Sequence, residues 1–178
     1  MLNFLVVLAA LFQYSLGELN LERIPSTNPP PIRRLYHFMD YNPVTDQLII
    51  FGGSTTADLV YNDVWAFNIT EEQYHHLDPT NEISPSNTYL APRIGSGGFI
   101  DSISNTLYVF GGKTGRGPVN DMWKFDLLTL KWHQIEFSGD NPPAMSFFGY
   151  HKVVEDDDLM FYVYGGTSIL DKIDQTWV

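Results

Sequence analysis

Five histidines, a run of four carboxylates, a Gly-Lys-Thr triplet and two cations in a Gly-rich stretch are the residues of this chain whose types could do chemistry. His75-His76, with His133 further along, offer imidazoles to a metal such as zinc. Adjacent residues of a strand point to opposite faces, however, so the pair cannot share one ion without a bend, and no third ligand is indicated. His37 and His151 fall in apolar stretches that read as strands, where packing or a satisfied hydrogen bond accounts for a histidine. Glu155-Asp156-Asp157-Asp158 supplies oxygens for a hard cation but lacks the Asp-x-Asp-x-Asp-Gly spacing of a calcium loop, and reads as a solvated hairpin turn. Gly112-Lys113-Thr114 looks like the end of a phosphate-binding loop, yet Leu107 stands where the first Gly belongs and no helical pattern follows. No catalytic, cofactor-binding or metal residue is therefore expected. Lys113 and Arg116 remain as candidate contacts for an acidic partner, against the plainer reading of solvated surface charges. Asn68-Ile69-Thr70 is the single N-glycosylation acceptor in the sequence.

The elements that must position these residues repeat. Gly52-Gly53 recurs at Gly111-Gly112 and again at Gly165-Gly166, a period of fifty-odd residues. Each pair follows an apolar run (Leu48 to Phe51, Leu107 to Phe110, Leu159 to Tyr164) and precedes a Trp by a nearly constant interval, at Trp65, Trp123 and Trp177. Asn-Asp stands just before that Trp at Asn62-Asp63 and Asn120-Asp121, and a second aromatic follows nine residues on, Tyr74 or Trp132. Arg34 and Arg93 open the first two units, each eighteen residues before its Gly-Gly; at that spacing the third unit has Phe147. Period-two alternation puts Trp65 with Phe67, and Trp123 with Phe125, on one strand face, which reads as the buried face of both units. Strands are expected at Leu35 to Met39, Gln47 to Phe51, Asp63 to Phe67 and Tyr74 to Leu77, with equivalents in the second unit. In the third they are expected at Phe148 to Val154, Leu159 to Tyr164 and Gln175 to Val178, leaving no room for a fourth.

This ordered set resembles the Kelch repeat. The resemblance covers Arg34 to Val178 and rests on Arg34, Gly52, Gly53, Trp65, Tyr74, Arg93, Gly111, Gly112, Trp123, Trp132, Gly165, Gly166 and Trp177. It implies an all-β, Kelch-type β-propeller of four-stranded antiparallel blades: one over 33–77, one over 93–135 and a partial third over 146–178. The Trp and Phe of each third strand would then pack between neighbouring blades. Propellers close with about four to eight blades. Leaving two or three aromatic faces wet at the ends of an arc forgoes on the order of 10 kcal/mol, so further blades are expected to complete the ring, with the sequence a fragment of a longer chain or a truncated product. A partner that closes the ring is the other possibility.

The composition narrows the function. A net charge of -11 with ten scattered basic residues argues against nucleic-acid binding. The absence of Cys removes thiol chemistry and disulfides, and with them the Tyr-Cys cofactor of the galactose-oxidase type that shares the propeller class. Residues 1–17 hold an apolar run, Phe4 to Phe12, followed by small residues at Ser15 and Gly17, which reads as a secretory signal. Nine apolar residues are about half of the ~20 that a membrane helix needs. Residues 18–32 form a Pro-rich lead. The expected product is secreted or lumenal, with no membrane span after signal cleavage and no cofactor.

On that basis the expected function is a non-catalytic protein-interaction module. Its binding face would be the loops between second and third strands (Ser54 to Tyr61, Lys113 to Val119, Thr167 to Asp171) and the links between units (Asp78 to Pro92, Glu136 to Met145). Two alternatives stay open: a secreted carbohydrate-acting enzyme of the Kelch-type epimerase or oxidase kind, with its site in other blades, and a non-functional truncated product.

Overall fold

The computed structural model describes residues 23–56, 59–77, 90–155, 158–169 and 171–178. The signal-like segment, residues 18–22 of the lead, 78–89 of the first link and Asp156-Asp157 lie outside the described residues. Every described element is a β-strand. The first blade is β1 (Phe38–Asn42), β2 (Gln47–Ser54), β3 (Val60–Asn68) and β4 (Gln73–His76), antiparallel in that order. The second is β5 (Gly97–Asp101), β6 (Thr106–Phe110), β9 (Met122–Asp126) and β10 (Lys131–Ile135), with a small ribbon, β7 (Lys113–Thr114) and β8 (Gly117–Pro118), inserted between its middle strands. The third holds β11 (Gly149–Glu155), β12 (Asp158–Tyr164) and β13 (Thr176–Trp177). These are the meanders that the repeat implied.

The first strand of blade one begins at Phe38, three residues later than the apolar pattern predicts, whereas β5 and β11 begin within one residue of the expected Gly98 and Phe148. Leu35 and Ile94 make one bridge each, to Ser54 and Lys113, as does Ser146 to Thr167. The next residue then turns left-handed, with φ of 58° at Tyr36, 60° at Gly95 and 56° at Phe147. That turn separates the bridge from the strand proper, and apolar patterning does not register it.

The Gly-Gly pairs have a specific task. Both glycines of each pair have positive φ, and the ladder between β2 and β3 shifts register between Phe51 and Gly53. The opening is filled by the next blade: Gly53 N–H donates to the Arg93 carbonyl (3.0 Å) and Arg93 N–H donates to the Tyr61 carbonyl (3.1 Å). One blade on, Gly112 N–H donates to Met145 (2.8 Å) and Met145 N–H to Val119 (3.0 Å). Each pair thus makes a slot that takes one backbone residue of the following unit. A Cβ on Gly52 would sit 2.9 Å from the Arg93 carbonyl oxygen, and one on Gly111 2.9 Å from that of Met145.

The residue in the slot also clamps its own blade. Arg93, 1% exposed, donates to both carboxylate oxygens of Asp121 (2.7 and 3.0 Å) and to the Gly111 carbonyl (2.9 Å), while the Trp123 indole N–H donates to the same carboxylate (2.6 Å). Arg34 repeats the set with Asp63 (2.5 and 3.0 Å), Gly52 (2.9 Å) and Trp65 (2.7 Å), its guanidinium lying 4.5 Å over the Tyr61 ring. Burial alone would raise the Asp121 carboxyl, but the bidentate Arg93 and the Trp123 hydrogen bond outweigh it and hold the pKa below the ordinary range.

The third blade departs from this plan, although not where spacing placed the departure. The bridge at Ser146 matches those at Leu35 and Ile94, so the counterpart of Arg34 and Arg93 is Met145, not Phe147. The β11–β12 hairpin pairs seven residues on each side, against five in β5–β6, and this pushes Gly165 two positions further along. Gln175 replaces the clamping Asp. Met145 is fully buried, and the Trp177 indole N–H is buried without a hydrogen-bond partner.

One core cluster spans blades one and two, including Phe38, Phe51, Val64 and Ala66 from the first and Ile100, Leu107, Trp123 and Phe125 from the second. The Trp/Phe face is therefore buried in the second blade as read. In the first blade the opposite face, Val64 and Ala66 at 0% exposure, is the fully covered one, because it meets blade two; on the Trp/Phe face Phe67 is buried as read and Trp65 half-buried.

Two outcomes follow from the slot and the clamp. Gly52→Ala meets both positive φ and the Arg93 carbonyl, so it costs about 2 kcal/mol or more. Gly165→Ala, with φ of 73° but 3.5 Å of clearance, costs about 1 kcal/mol of conformational strain. Chemical denaturation of the two variants should rank them in that order, and equal losses would contradict the slot. Asp121→Asn lowers stability by about 1–3 kcal/mol at neutral pH. A carboxyl whose folded pKa is depressed stabilises above its unfolded value and ceases to as pH falls. The gap in Tm between wild type and Asp121→Asn should therefore close below the ordinary 3.8 and stay open at pH 7.

Candidate functional site

Two concave or exposed regions could meet a ligand. The first is the groove where the inner strands β1, β5 and β11 face one another. An inner strand is an edge strand, with backbone groups that need partners. Ile100 meets that need with side chains from both neighbours: its N–H donates to Asp40 Oδ2 (2.9 Å), and Lys152 Nζ donates to its carbonyl (2.7 Å). The two charged groups of the groove are thus engaged by the backbone of a single residue. Tyr150, on the same wall, has its phenol pKa raised by burial and by the nearby Asp40. The cavity is about 190 Å³, below the ~300 Å³ at which small-molecule sites begin. His151 lies on its rim, exposed.

The second region is the end of the blades from which the loops between second and third strands emerge, together with the entry segments bridged to them. Lys113 and Arg116 are both exposed there, on the ribbon that sequence reading took for a plain loop. Thr114 Oγ1 donates to the Gly117 carbonyl (3.0 Å) and accepts from Arg116 N–H (3.2 Å), fixing the ribbon tip. Neither cation forms an ion pair among the described residues.

Next to Lys113, through its bridge to Ile94, comes Gly95. A Cβ on Gly95 would lie 2.4 Å from Phe147 Cδ1, so the glycine makes room for that ring. Tyr36 from the first blade meets Phe147 from the third edge-on, centroids 5.3 Å apart, and the backbones are joined as Gly95 N–H donates to Tyr36 and Phe147 N–H donates to Gly95. Tyr36 is 57% exposed, Phe147 45% and Leu35 62%. Sequence reading missed this aromatic step. Its signal is the large-small-large series Tyr36, Gly95, Phe147, which is visible only once the units are aligned by their bridges.

The other candidates fall apart spatially. His76 stacks on Trp65 (4.6 Å), while His75 faces Glu71 (3.5 Å), so the pair does diverge. His133 pairs with Lys124 across β9 and β10, and no group of ligands for a metal exists among the described residues. Glu155 and Asp158 oppose each other at the β11–β12 turn. Asn68 ends β3 at the opposite end of the blade from the ribbon. Its Oδ1 accepts from Glu71 N–H (2.9 Å), and the Thr70 hydroxyl donates to Asp46 (2.8 Å). Tyr74 packs on Phe67 of its own blade (4.7 Å), whereas Trp132 reaches both Phe125 (4.9 Å) and Phe51 of the preceding blade (5.3 Å).

A family model for the KLHDC2/KLHL20/DRC7 Kelch-repeats domain matches residues 6–178. Kelch domain-containing protein 10 of Xenopus tropicalis is 30% identical over 125 residues, 68% of this chain and 28% of that protein. The Homo sapiens protein of that name is 30% identical over 128 residues, 69% of this chain and 26% of its own length. A Thlaspi arvense protein named N-(sulfonatooxy)prop-2-enimidothioate sulfolyase is 26% identical over 129 residues, 70% of this chain and 34% of the relative. The chain thus spans about a quarter to a third of the curated relatives it matches. Its repeats, its Gly-Gly slots and this family match agree: the chain belongs to the Kelch-repeat family and folds as part of a β-propeller.

Proposed function

We propose that this chain is a secreted, non-catalytic recognition module that binds an acidic protein segment through the end of the blades carrying Tyr36, Phe147, Lys113 and Arg116. The observation that carries the reading is the ribbon itself. A chain of net charge -11 displays, on a fixed β-turn beside an exposed aromatic step, two cations that form no ion pair among the described residues. Three of its carboxylates cap hairpins at the other end of the blades. Asp101 accepts from Ile103 N–H and the Ser104 hydroxyl, Asp126 from Leu128 and Thr129, and Asp46 from Thr70 and Tyr41. Lys113 and Arg116 offer an anionic partner a charge complement, and the aromatic pair offers it an apolar anchor. Secretion is supported by the apolar leader. A glycan on Asn68 would leave the ribbon end clear.

The recognition reading is tested by selecting peptides from a display library. Acidic sequences with an aromatic or aliphatic anchor should be enriched, binding should weaken as salt rises, and Lys113→Glu/Arg116→Glu should reduce affinity by about tenfold or more. Enrichment without charge bias, or binding that ignores the double substitution, would refute it. For secretion, a tagged chain expressed in animal cells should start at Glu18 and lose gel mobility to a glycan that Asn68→Gln removes. A full-length cytosolic product would contradict it.

A further inference from the structure

The hairpin end of the blades, opposite the ribbon, carries a feature that folding alone does not call for. Turns favour Gly, Pro, Asn, Asp and Ser. Yet each of the four hairpin turns of the first two blades, 42–47, 68–73, 101–106 and 126–131, holds an exposed aliphatic side chain: Val44, Ile69, Ile103 (96% exposed) and Leu128 (78%). Their backbones are fixed. Val44 N–H donates to Asn42 Oδ1 (3.1 Å), Ile103 N–H to Asp101 Oδ1 (3.0 Å) and Leu128 N–H to Asp126 Oδ1 (2.8 Å), while Ile69 N–H donates to the Asp46 carbonyl (3.1 Å). A backbone so held has little freedom left to lose when the side chain is covered.

The four turns are also joined. The Thr70 hydroxyl donates to Asp46 (2.8 Å), Asn42 Nδ2 donates to Asn105 Oδ1 (2.7 Å), and Leu127 N–H donates to the Asn105 carbonyl (3.1 Å). They form one continuous surface across both blades. Blades pack side by side, and the turns project past the sheet ends, where a neighbouring blade does not cover them. Ile103 shows this: its blade has another packed on each face, and the side chain is still almost wholly exposed. A single exposed aliphatic is ordinary, but several on joined turns mark a contact surface.

Charge decides what covers it. The four turns hold five carboxylates and one base, Lys131. Asp46, Asp101 and Asp126 accept hydrogen bonds from neutral N–H and O–H groups, and none of the three forms an ion pair among the described residues. The hydrogen bond from the Ser104 hydroxyl lowers the pKa of Asp101, and that from the Thr129 N–H lowers that of Asp126, so both are charged at neutral pH. Aliphatic tips among unpaired carboxylates repel an anionic lipid surface and complement Lys and Arg.

We propose that the hairpin end is a second docking surface, which takes a cationic amphipathic segment of a partner protein. Aliphatic side chains of the segment pack on Ile103 and Leu128, and its Lys or Arg side chains pair with the carboxylates of the same turns. The surface is separate from the ribbon end: it lies at the other end of the strands, with the opposite charge. Asn68 directly precedes Ile69, so a glycan there would hinder the segment on the blade-one side.

Fluorescence anisotropy of the unglycosylated chain with two short labelled peptides, Leu alternating with Lys and Leu alternating with Glu, tests this. The Leu/Lys peptide should bind, less tightly as salt rises, and the Leu/Glu peptide should not. Ile103→Ser and Leu128→Ser, at exposed positions and so compatible with folding, should each weaken binding by about fivefold or more. No binding of the Leu/Lys peptide, or binding that ignores both substitutions, would overturn the proposal. So would flotation of the chain with phosphatidylcholine vesicles, or association of the chain with itself, that the same substitutions abolish, because the tips would then serve a lipid surface or a second copy.

Discussion

When a strand ends on two consecutive left-handed glycines, its ladder with the next strand opens for the length of one residue, and the exposed N–H and C=O must find partners or cost free energy. Here the following unit supplies them. Arg93 and Met145 each contribute one N–H and one carbonyl to the gap behind them, so adjacent sheets are joined by backbone bonds as well as by apolar contact. Only glycine fits, because a Cβ would strike the incoming carbonyl at 2.9 Å. The seam of this fold is a backbone interaction that the side chains then reinforce.

Reinforcement differs along the chain. At the first two entries an Arg reaches forward to a carboxylate, which also holds the Trp indole, and at Arg93, which docks by its backbone as well, docking and sheet assembly are coupled through one residue. A buried pair of this kind contributes modestly in net terms and is costly to break. Met145 and Gln175 dispense with the charges in the third blade. The blade keeps its apolar seam, Phe110 against Phe148, but the Trp177 indole N–H is left without an acceptor. The Arg–carboxylate clamps are thus confined to the first two units.

Much of this was legible in the sequence, because it is periodic in one dimension. The recurring Gly-Gly, the Trp after it and the opening Arg gave the strand order and the fold class before any contact was known. What escaped had no linear signal. Asp63 and Asp121 read only as the first residues of their third strands, since nothing in their spacing shows that an Arg nearly thirty positions earlier returns to them. A hairpin longer by two residues displaced the third entry from Phe147 to Met145. The Tyr36–Phe147 step joins blades one and three across a glycine of blade two, a juxtaposition that only the packing of the units creates.

The slot is most directly tested by amide hydrogen exchange at Gly53 and Gly112. Their N–H groups, bonded to the carbonyls of Arg93 and Met145, should exchange as slowly as core-strand amides such as those of Ile49 and Val109, through global unfolding rather than local fraying. Exchange at the rate of an exposed turn would mean that the units are not joined by their backbones, and the account of the fold given above would fail with it.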